Sequence, residues 1–204
     1  MESDLIASFC SFYMNNVSDE AIHQFSNIVK TKKFKRGETL IKGEHDNISK
    51  FYIIKEGIVA SFSRNASEDK EYIRTIHIEN YAFTNLYYLD SNLANLDLDV
   101  SPSRDYYKCL TDCLLLEGKF SDFLNLIQSN HEICFLYNRI NQTLLLQLLK
   151  RLDRLSLLDA TDRYKLLRLR IPNIENLIPQ YQIASYLNIT PVQLSRIRKK
   201  LYSE

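Results

Sequence analysis

Ile178-Pro-Gln-Tyr-Gln-Ile-Ala-Ser-Tyr-Leu-Asn-Ile-Thr-Pro-Val-Gln-Leu-Ser-Arg-Ile-Arg-Lys-Lys200 reads as two short helices joined by a tight turn. Pro179 suits the first helical position, where its fixed φ helps and its missing N–H has no intrahelical partner to lose. Ile183, Ala184 and Leu187 share one face. Asn188 suits a left-handed stop. Thr190 then serves as N-cap, Pro191 as first helical residue and Gln193 as the third, the spacing of a capping box. Ile189 and Leu194 fit a hydrophobic staple across that cap. Leu194, Ile197 and Leu201 form an inward face. Val192, Gln193, Ser195, Arg196, Lys199 and Lys200 are left for solvent or a partner. A short, well-capped helix that is basic at its far end has the dimensions to enter a DNA major groove. The plainer alternative is a pair of surface helices with a basic face.

The run Ile183 to Lys200 closely resembles the helix-turn-helix of the cyclic AMP receptor protein and fumarate-nitrate regulator (Crp/Fnr) family of bacterial transcription regulators, in particular the branch found in Bacteroidetes. Asn188 stands where Gly is more usual at the turn. The resemblance implies a sequence-specific regulator that acts as a homodimer on a palindromic duplex operator, and it admits RNA polymerase as a further partner. Some members of that family carry an iron-sulfur cluster on clustered N-terminal cysteines, but here only Cys10 lies in that region; with no Ser/His/Asp set, nucleotide Gly-rich loop or metal constellation in the chain, no catalytic residue, metal or cofactor is expected. Arg196 aligns with a base-contacting Arg of the family and can donate bidentately to guanine O6 and N7. Val192 stands where several relatives have Glu, so cytosine readout gives way to thymine-methyl contact. Gln193 can read adenine, but its capping duty competes. Gln180, the Thr190 hydroxyl, Lys199 and Lys200 are placed for phosphates, where contacts position without specifying.

The 204 residues, 45% of them hydrophobic, suffice for two compact domains. The N-terminal Met1-Glu-Ser-Asp-Leu-Ile lacks a basic segment and a cleavage site. No apolar run approaches the roughly 20 residues needed to span a bilayer. A cytosolic chain without a membrane partner is expected. The four cysteines, Cys10, Cys109, Cys113 and Cys134, form no CxxC pair and no zinc spacing, so reduced structural thiols are expected. Net charge is +1, unevenly divided: residues 151 to 204 hold 10 Lys and Arg against 5 Asp and Glu. A basic C-terminal third suits a phosphate-binding surface, or a solvated charged face.

Residues 1 to 30 carry apolar clusters at helical spacing, with Ser18-Asp-Glu-Ala as a helix start. From Phe34 to about Gly118 come short β-favouring runs: Thr39 to Ile41, Phe51 to Ile54, Ile58 to Ser63, Tyr72 to Ile78, Tyr106 to Leu110 and Leu114 to Leu116. Turn residues separate them, including three of the four glycines. The spacing predicts a small antiparallel sandwich or barrel. Lys35-Arg-Gly-Glu-Thr-Leu-Ile-Lys-Gly-Glu44 and Phe51-Tyr-Ile-Ile-Lys-Glu-Gly-Ile58 resemble the first half of a cyclic-nucleotide-binding jelly roll. The fold class expected is α+β: an N-terminal jelly roll with helices over 1–128, a dimerisation helix over 129–156 and a helix-turn-helix domain over 157–204.

Family members that bind cyclic nucleotide offer Phe-Gly-Glu for the ribose and Arg-Ser for the cyclic phosphate. Here the corresponding effector segment is Phe83-Thr84-Asn85, and after Pro102 comes Ser103-Arg104-Asp105. Gly and Glu are missing, and Asp105 would repel the anion and compete for Arg104. Cyclic AMP is therefore expected not to bind. The alternative is a sensor whose jelly roll still binds cyclic nucleotide or another small metabolite to control DNA binding, and the sequence names no such effector. Tyr81, Phe83, Tyr87, Tyr88, Tyr106 and Tyr107 either line such a pocket or pack the barrel; packing is the ordinary use of aromatics. His77 is read as a surface or hydrogen-bonded histidine.

From residue 121 to 158 the pattern is helical, with a break near Ser129-Asn130. Ile133, Leu136, Tyr137, Ile140, Leu144, Leu145, Leu148, Leu149, Leu152 and Leu155 recur at three and four. So wide a stripe calls for a second chain, and in the resembled family this helix is the parallel dimer seam. A further amphipathic helix follows to Arg170, starting near Thr161 and ended by Pro172. The short connection from there to Ile178 leaves little room for a β-wing.

Overall fold

The computed structural model describes residues 2–42, 50–65, 70–84 and 106–203. Two helices, α1 (Glu2–Tyr13) and α2 (Asp19–Asn27), open the chain. Ser18 caps α2 by accepting from the Ala21 N–H at 3.2 Å. Its own N–H and hydroxyl donate to the Glu132 carboxylate at 2.8 and 2.7 Å. Glu132 lies in the first turn of α4 (His131–Leu157), so one serine starts a helix and ties it to the longest helix of the chain.

The sheets are β1 (Val29–Phe34), β8 (Cys113–Lys119), β3 (Lys50–Glu56) and β6 (Ala82–Thr84) in that order, facing β2 (Thr39–Lys42), β7 (Tyr106–Cys109), β4 (Val59–Asn65) and β5 (Lys70–His77). Every pairing is antiparallel. Phe51-Tyr-Ile-Ile is apolar throughout because both faces of β3 are covered. Tyr52 and Ile54 point between the sheets with Leu40, Phe83 and Leu115, whereas Phe51 and Ile53 pack with Phe9, Phe25 and Phe123 of the helices. Side chains alternate at period two, so a strand with two covered faces needs no polar alternation.

Strands β1 and β6 were absent from the sequence expectation. Val29-Lys-Thr-Lys-Lys-Phe looks like the polar end of the preceding helix, but it pairs with β8 along one side only. Lysines are at home on such an edge, where charge discourages further pairing. Asn130 ends α3 (Phe120–Ser129) and caps α4, accepting from the Ile133 N–H at 3.1 Å, so the expected break falls there. Gly57 has φ +96°, and a Cβ there would lie 2.5 Å from the Asp112 carbonyl, which fixes this turn as a glycine position.

His77 is buried rather than on the surface. Its Nε2 lies 2.7 Å from the Thr75 hydroxyl, and its ring centroid is 4.0 Å from that of Tyr81. Burial, reinforced by the charges of Arg170 and Arg74, pulls its pKa down to about 3. The native state therefore holds this ring neutral where the unfolded chain would protonate it. Its contribution to stability is complete above about pH 6.5 and is lost as pH falls toward 3. In chemical denaturation at pH 7, 5 and 4, a His77→Phe variant is expected to lose less stability on acidification than the parent. An equal slope in both would remove His77 from the acid response.

Candidate nucleic-acid interface

Four helices build the C-terminal unit: α5 (Ala160–Arg170), α6 (Ile174–Leu177), α7 (Gln180–Leu187) and α8 (Pro191–Leu201). Helix α5 starts before the expected Thr161, because the Asp159 carboxylate accepts from the Asp162 N–H at 2.9 Å and makes Asp159 the cap. Pro179 is likewise one place earlier than expected. It is the N-cap of α7, with ψ 149°, and its carbonyl receives the Ile183 N–H at 3.2 Å. Among the described residues no strand lies between α5 and α8, so there is no wing there.

The turn is built as its residues dictate. Asn188 is left-handed at φ 55°, ψ 49°, and the Ile189 N–H returns to the Ala184 carbonyl at 3.0 Å. The capping box of α8 closes in both directions: the Gln193 N–H donates to Thr190 Oγ1 at 3.1 Å, and the Thr190 N–H to Gln193 Oε1 at 2.9 Å. The carbonyl end of Gln193 is thus committed to the helix. Leu194 is fully buried, and Ile197 and Leu201 pack beside it. Gln180, Thr190, Val192, Gln193, Ser195, Arg196, Lys199 and Lys200 are all exposed. Val192, Arg196, Lys199 and Lys200 share one outward face at helical spacing, opposite Leu194. Arg198, also in this helix, is half-buried, with Nε enclosed.

This unit does not stand apart from the sheets. Ile58, Ala60, Phe62, Ile73 and Ile76 of the β4 and β5 region form one core with Tyr164, Leu167, Ile174, Ile183 and Leu194. The Ile73 N–H, on the outer edge of β5, donates to the Ser185 hydroxyl at 3.0 Å. Arg170 donates to the Ile76 carbonyl at 2.9 Å and to the Tyr186 hydroxyl at 3.3 Å. Arg151 of α4 lies over the Tyr186 ring, 4.3 Å from its centroid, and donates to the Tyr186 carbonyl. Ser185, Arg170, Tyr186 and Arg151 thus tie α7, and with it α8, to the sheets and to α4, a role that sequence inspection assigned to none of them. The available signal was Tyr186, a buried aromatic beside a surface turn. A cleft of about 440 Å³ separates the start of α8 from Glu71 and Tyr72 of β5.

On α4, Ile133, Leu136 and Ile140 are buried against the sheet and helices, whereas Leu145, Leu146, Leu148, Leu149 and Leu152 are exposed. The first half of the helix belongs to the core of this chain, and the second half presents a leucine face outward.

Of the effector segment, Phe83 is buried, stacked 4.7 Å from Tyr107 and 5.4 Å from Tyr52, and Thr84 donates to the Lys50 carbonyl at 2.8 Å. Tyr106 stacks on Phe62 at 4.9 Å. Phe83 and Tyr107 thus pack the space between the sheets, and Tyr106 packs the core shared with the C-terminal helices. Asn85, Ser103 and Arg104, with Asp105, Tyr87 and Tyr88, lie outside the described residues. Cys10, Cys109 and Cys113 are buried free thiols, and Cys134 is a half-buried one.

Two facing antiparallel sheets, a long helix and a capped helix-turn-helix define a jelly roll joined to a helix-turn-helix module. Solved structures with this architecture place it. The chain is similar to FixK2 of Bradyrhizobium japonicum, with a TM-score of 0.67, 17% identity, and coverage of 86% of this chain and 85% of that one. It is also similar to the c-di-GMP responsive global regulator CLP of Xanthomonas campestris, at 0.61, 17% identity, and 91% and 92% coverage. A protein of Eubacterium rectale assigned to the Crp/Fnr family of transcriptional regulators matches at 0.67, 13% identity, and 93% and 85% coverage. The chain has the Crp/Fnr fold. No family model matches the sequence, and no curated protein does. No helix among the described residues is long and apolar enough to cross a membrane.

Proposed function

We propose that this chain is a sequence-specific DNA-binding transcription regulator that acts as a homodimer on a palindromic operator. The observation that carries the reading is the α8 surface: a helix capped at both its turn and its first residues, anchored by Leu194, presents Val192, Arg196, Lys199 and Lys200 together to solvent. That is the geometry of a helix that reads a major groove from its N-terminal half and grips phosphates beyond it. The second half of α4, with its exposed leucines, is the seam that sets two reading heads about 34 Å apart. In this reading residues 1–128 form the sensor, 129–156 the dimerisation helix and 157–204 the DNA-binding domain. The protein binds rather than catalyses, and cyclic AMP is not its effector.

The test is selection from a randomised duplex pool with sequencing of the retained fraction, with and without cyclic AMP. Enrichment of a palindrome regardless of nucleotide is the expected outcome. Enrichment only with cyclic AMP would overturn the reading of Phe83 to Asp105, and no enrichment in either arm would count against DNA reading by the chain as isolated. On the selected site, Arg196→Ala is expected to weaken binding by about 1–3 kcal/mol for each half-site and to relax one base step in each. Lys200→Ala should weaken all sequences alike. It should also lower the salt slope by about 2, one contact in each head. Equal effects of the two substitutions on base preference would sink the assignment of roles.

A further inference from the structure

Four guanidinium groups converge where the long helix meets the reading head. Arg151 and Arg154 come from α4, and Arg163 and Arg170 from α5. They line one small cavity against Tyr186, and the remaining lining residues are leucines, with no carboxylate among them. Among the described residues, each hydrogen bond that these side chains make ends on a neutral oxygen. Arg151 donates to the Tyr186 carbonyl at 3.0 Å and Arg163 to the Leu158 carbonyl at 2.6 Å. Arg170 donates to the Tyr186 hydroxyl and the Ile76 carbonyl. Arg163 Nε is buried without a partner. The Arg154 guanidinium has no side-chain partner among the described residues.

The competing account is that these arginines serve helix ends. Leu158 caps the C-terminus of α4, and Tyr186 lies in the last turn of α7. Helix C-termini do attract cations, but each carries only about half a negative charge, so two ends offset about one of the four positive charges. An excess of about three remains in a half-buried place. Burial, and behind it the charges of Arg170 and Arg154, hold the Arg151 guanidinium below its ordinary pKa. Uncompensated like charges at close quarters are costly, and a multivalent anion is what relieves them.

We propose that this arginine cluster is a binding site for a small phosphate-class polyanion, either free or as the terminal phosphates of a nucleotide. Planar guanidinium forks match tetrahedral oxyanions bidentately. The cavity of about 20 Å³ has room for a water-sized centre only, so the anion sits at its mouth. There the Arg154 guanidinium is uncommitted among the described residues, and Arg163, held by the Leu158 carbonyl, adds its charge from just behind. An anion bound at that point bridges α4 to α5 beside α7, so by linkage it changes DNA affinity by the factor that DNA changes its own.

The test needs no DNA. Calorimetric titration of the full-length protein with inorganic pyrophosphate, phosphate and AMP, at ionic strength held constant with KCl, reads the site directly. Pyrophosphate is expected to bind once per chain. Arg154→Gln, which removes a guanidinium with no other side-chain partner among the described residues, is expected to weaken it by about tenfold or more. Arg154→Gln with Arg163→Gln should abolish it. The Arg196→Ala, Lys199→Ala, Lys200→Ala triple variant should bind as the parent does. Binding that survives Arg154→Gln undiminished but disappears in the triple variant would assign the phosphate to the operator surface and overturn the proposal. So would the absence of heat at millimolar pyrophosphate, or AMP binding without any by pyrophosphate. Equal affinity for pyrophosphate and AMP phosphate would identify free phosphate chemistry as sufficient, whereas much tighter AMP binding would identify a nucleotide as the source. Because the readout is independent of operator selection, failure of either leaves the other standing.

Discussion

Leu145→Glu combined with Leu152→Glu is expected to leave a folded monomer whose affinity for a two-half-site duplex has dropped by about 10²- to 10⁴-fold, the loss that follows when linked binding becomes single binding. The two leucines are 59% and 60% exposed in the isolated chain, one heptad apart on the same outward face. Covering a leucine contributes about 1.5–3 kcal/mol, and a two-fold seam would cover each position twice. Four carboxylates in that seam lose this term and add repulsion across it. The core of the chain is untouched, since the buried residues of α4 are Ile133, Leu136 and Ile140, nearer its start. Sedimentation velocity checks the mass, and anisotropy on full and half-site duplexes checks the affinity. A variant that remains dimeric would move the seam elsewhere, and equal losses on full and half sites would point to misfolding instead.

The second large effect is expected at Leu194. It is the one residue of α8 that is fully buried, and it sits in the core shared by the reading head and the β4–β5 sheet face. Truncating a buried leucine costs about 2–5 kcal/mol, depending on how far its surroundings collapse. Leu194→Ala should therefore move the denaturation midpoint substantially and weaken DNA binding at temperatures where the parent is stable. Val192→Ala, two residues away and 60% exposed, should stay within about 0.5 kcal/mol of the parent while altering base preference. Because the core is shared, circular dichroism and tyrosine fluorescence are expected to report one transition. Two separated transitions would show that the head and the sheets hold together less tightly than their contacts indicate.

The anion site and the docking of the reading head meet at the same residues. Arg170 donates to the Tyr186 hydroxyl while reaching the β5 backbone, and Arg151, extending from the long helix, lies over the Tyr186 ring. Tyr186 thus joins α7 to both α4, through Arg151, and α5, through Arg170. The cleft between β5 and α8 also means that the first turn of α8 faces the sheet edge across open space.

Local chemistry explains which features could be read from residues alone. The caps of α8, the left-handed Asn188 and the Asn130 break involve contacts within five residues, so the spelling of the chain carries them. Period-two and continuous apolar runs gave the central strands for the same reason. The edge strand β1 escaped because its lysines answer to a position in the sheet, and that position exists only once β8 is beside it. Caps also drifted where two candidates competed, as at Asp159 against Thr161, because the side chain that captures the free N–H is settled by the path of the incoming chain.

Sequence by itself determined that this protein is a small antiparallel roll followed by a long helix and a capped helix-turn-helix, with an exposed basic face on α8. Tertiary structure alone decided how those parts are tied. The Ser185 hydroxyl meets the Ile73 N–H across 112 positions, Arg170 reaches Ile76 across 94, and four arginines from two helices gather on one cavity. Hydrogen bonds and charges between distant residues leave no periodicity in the chain, since their distance in space is set by the packing of elements whose own residues carry no record of the partner.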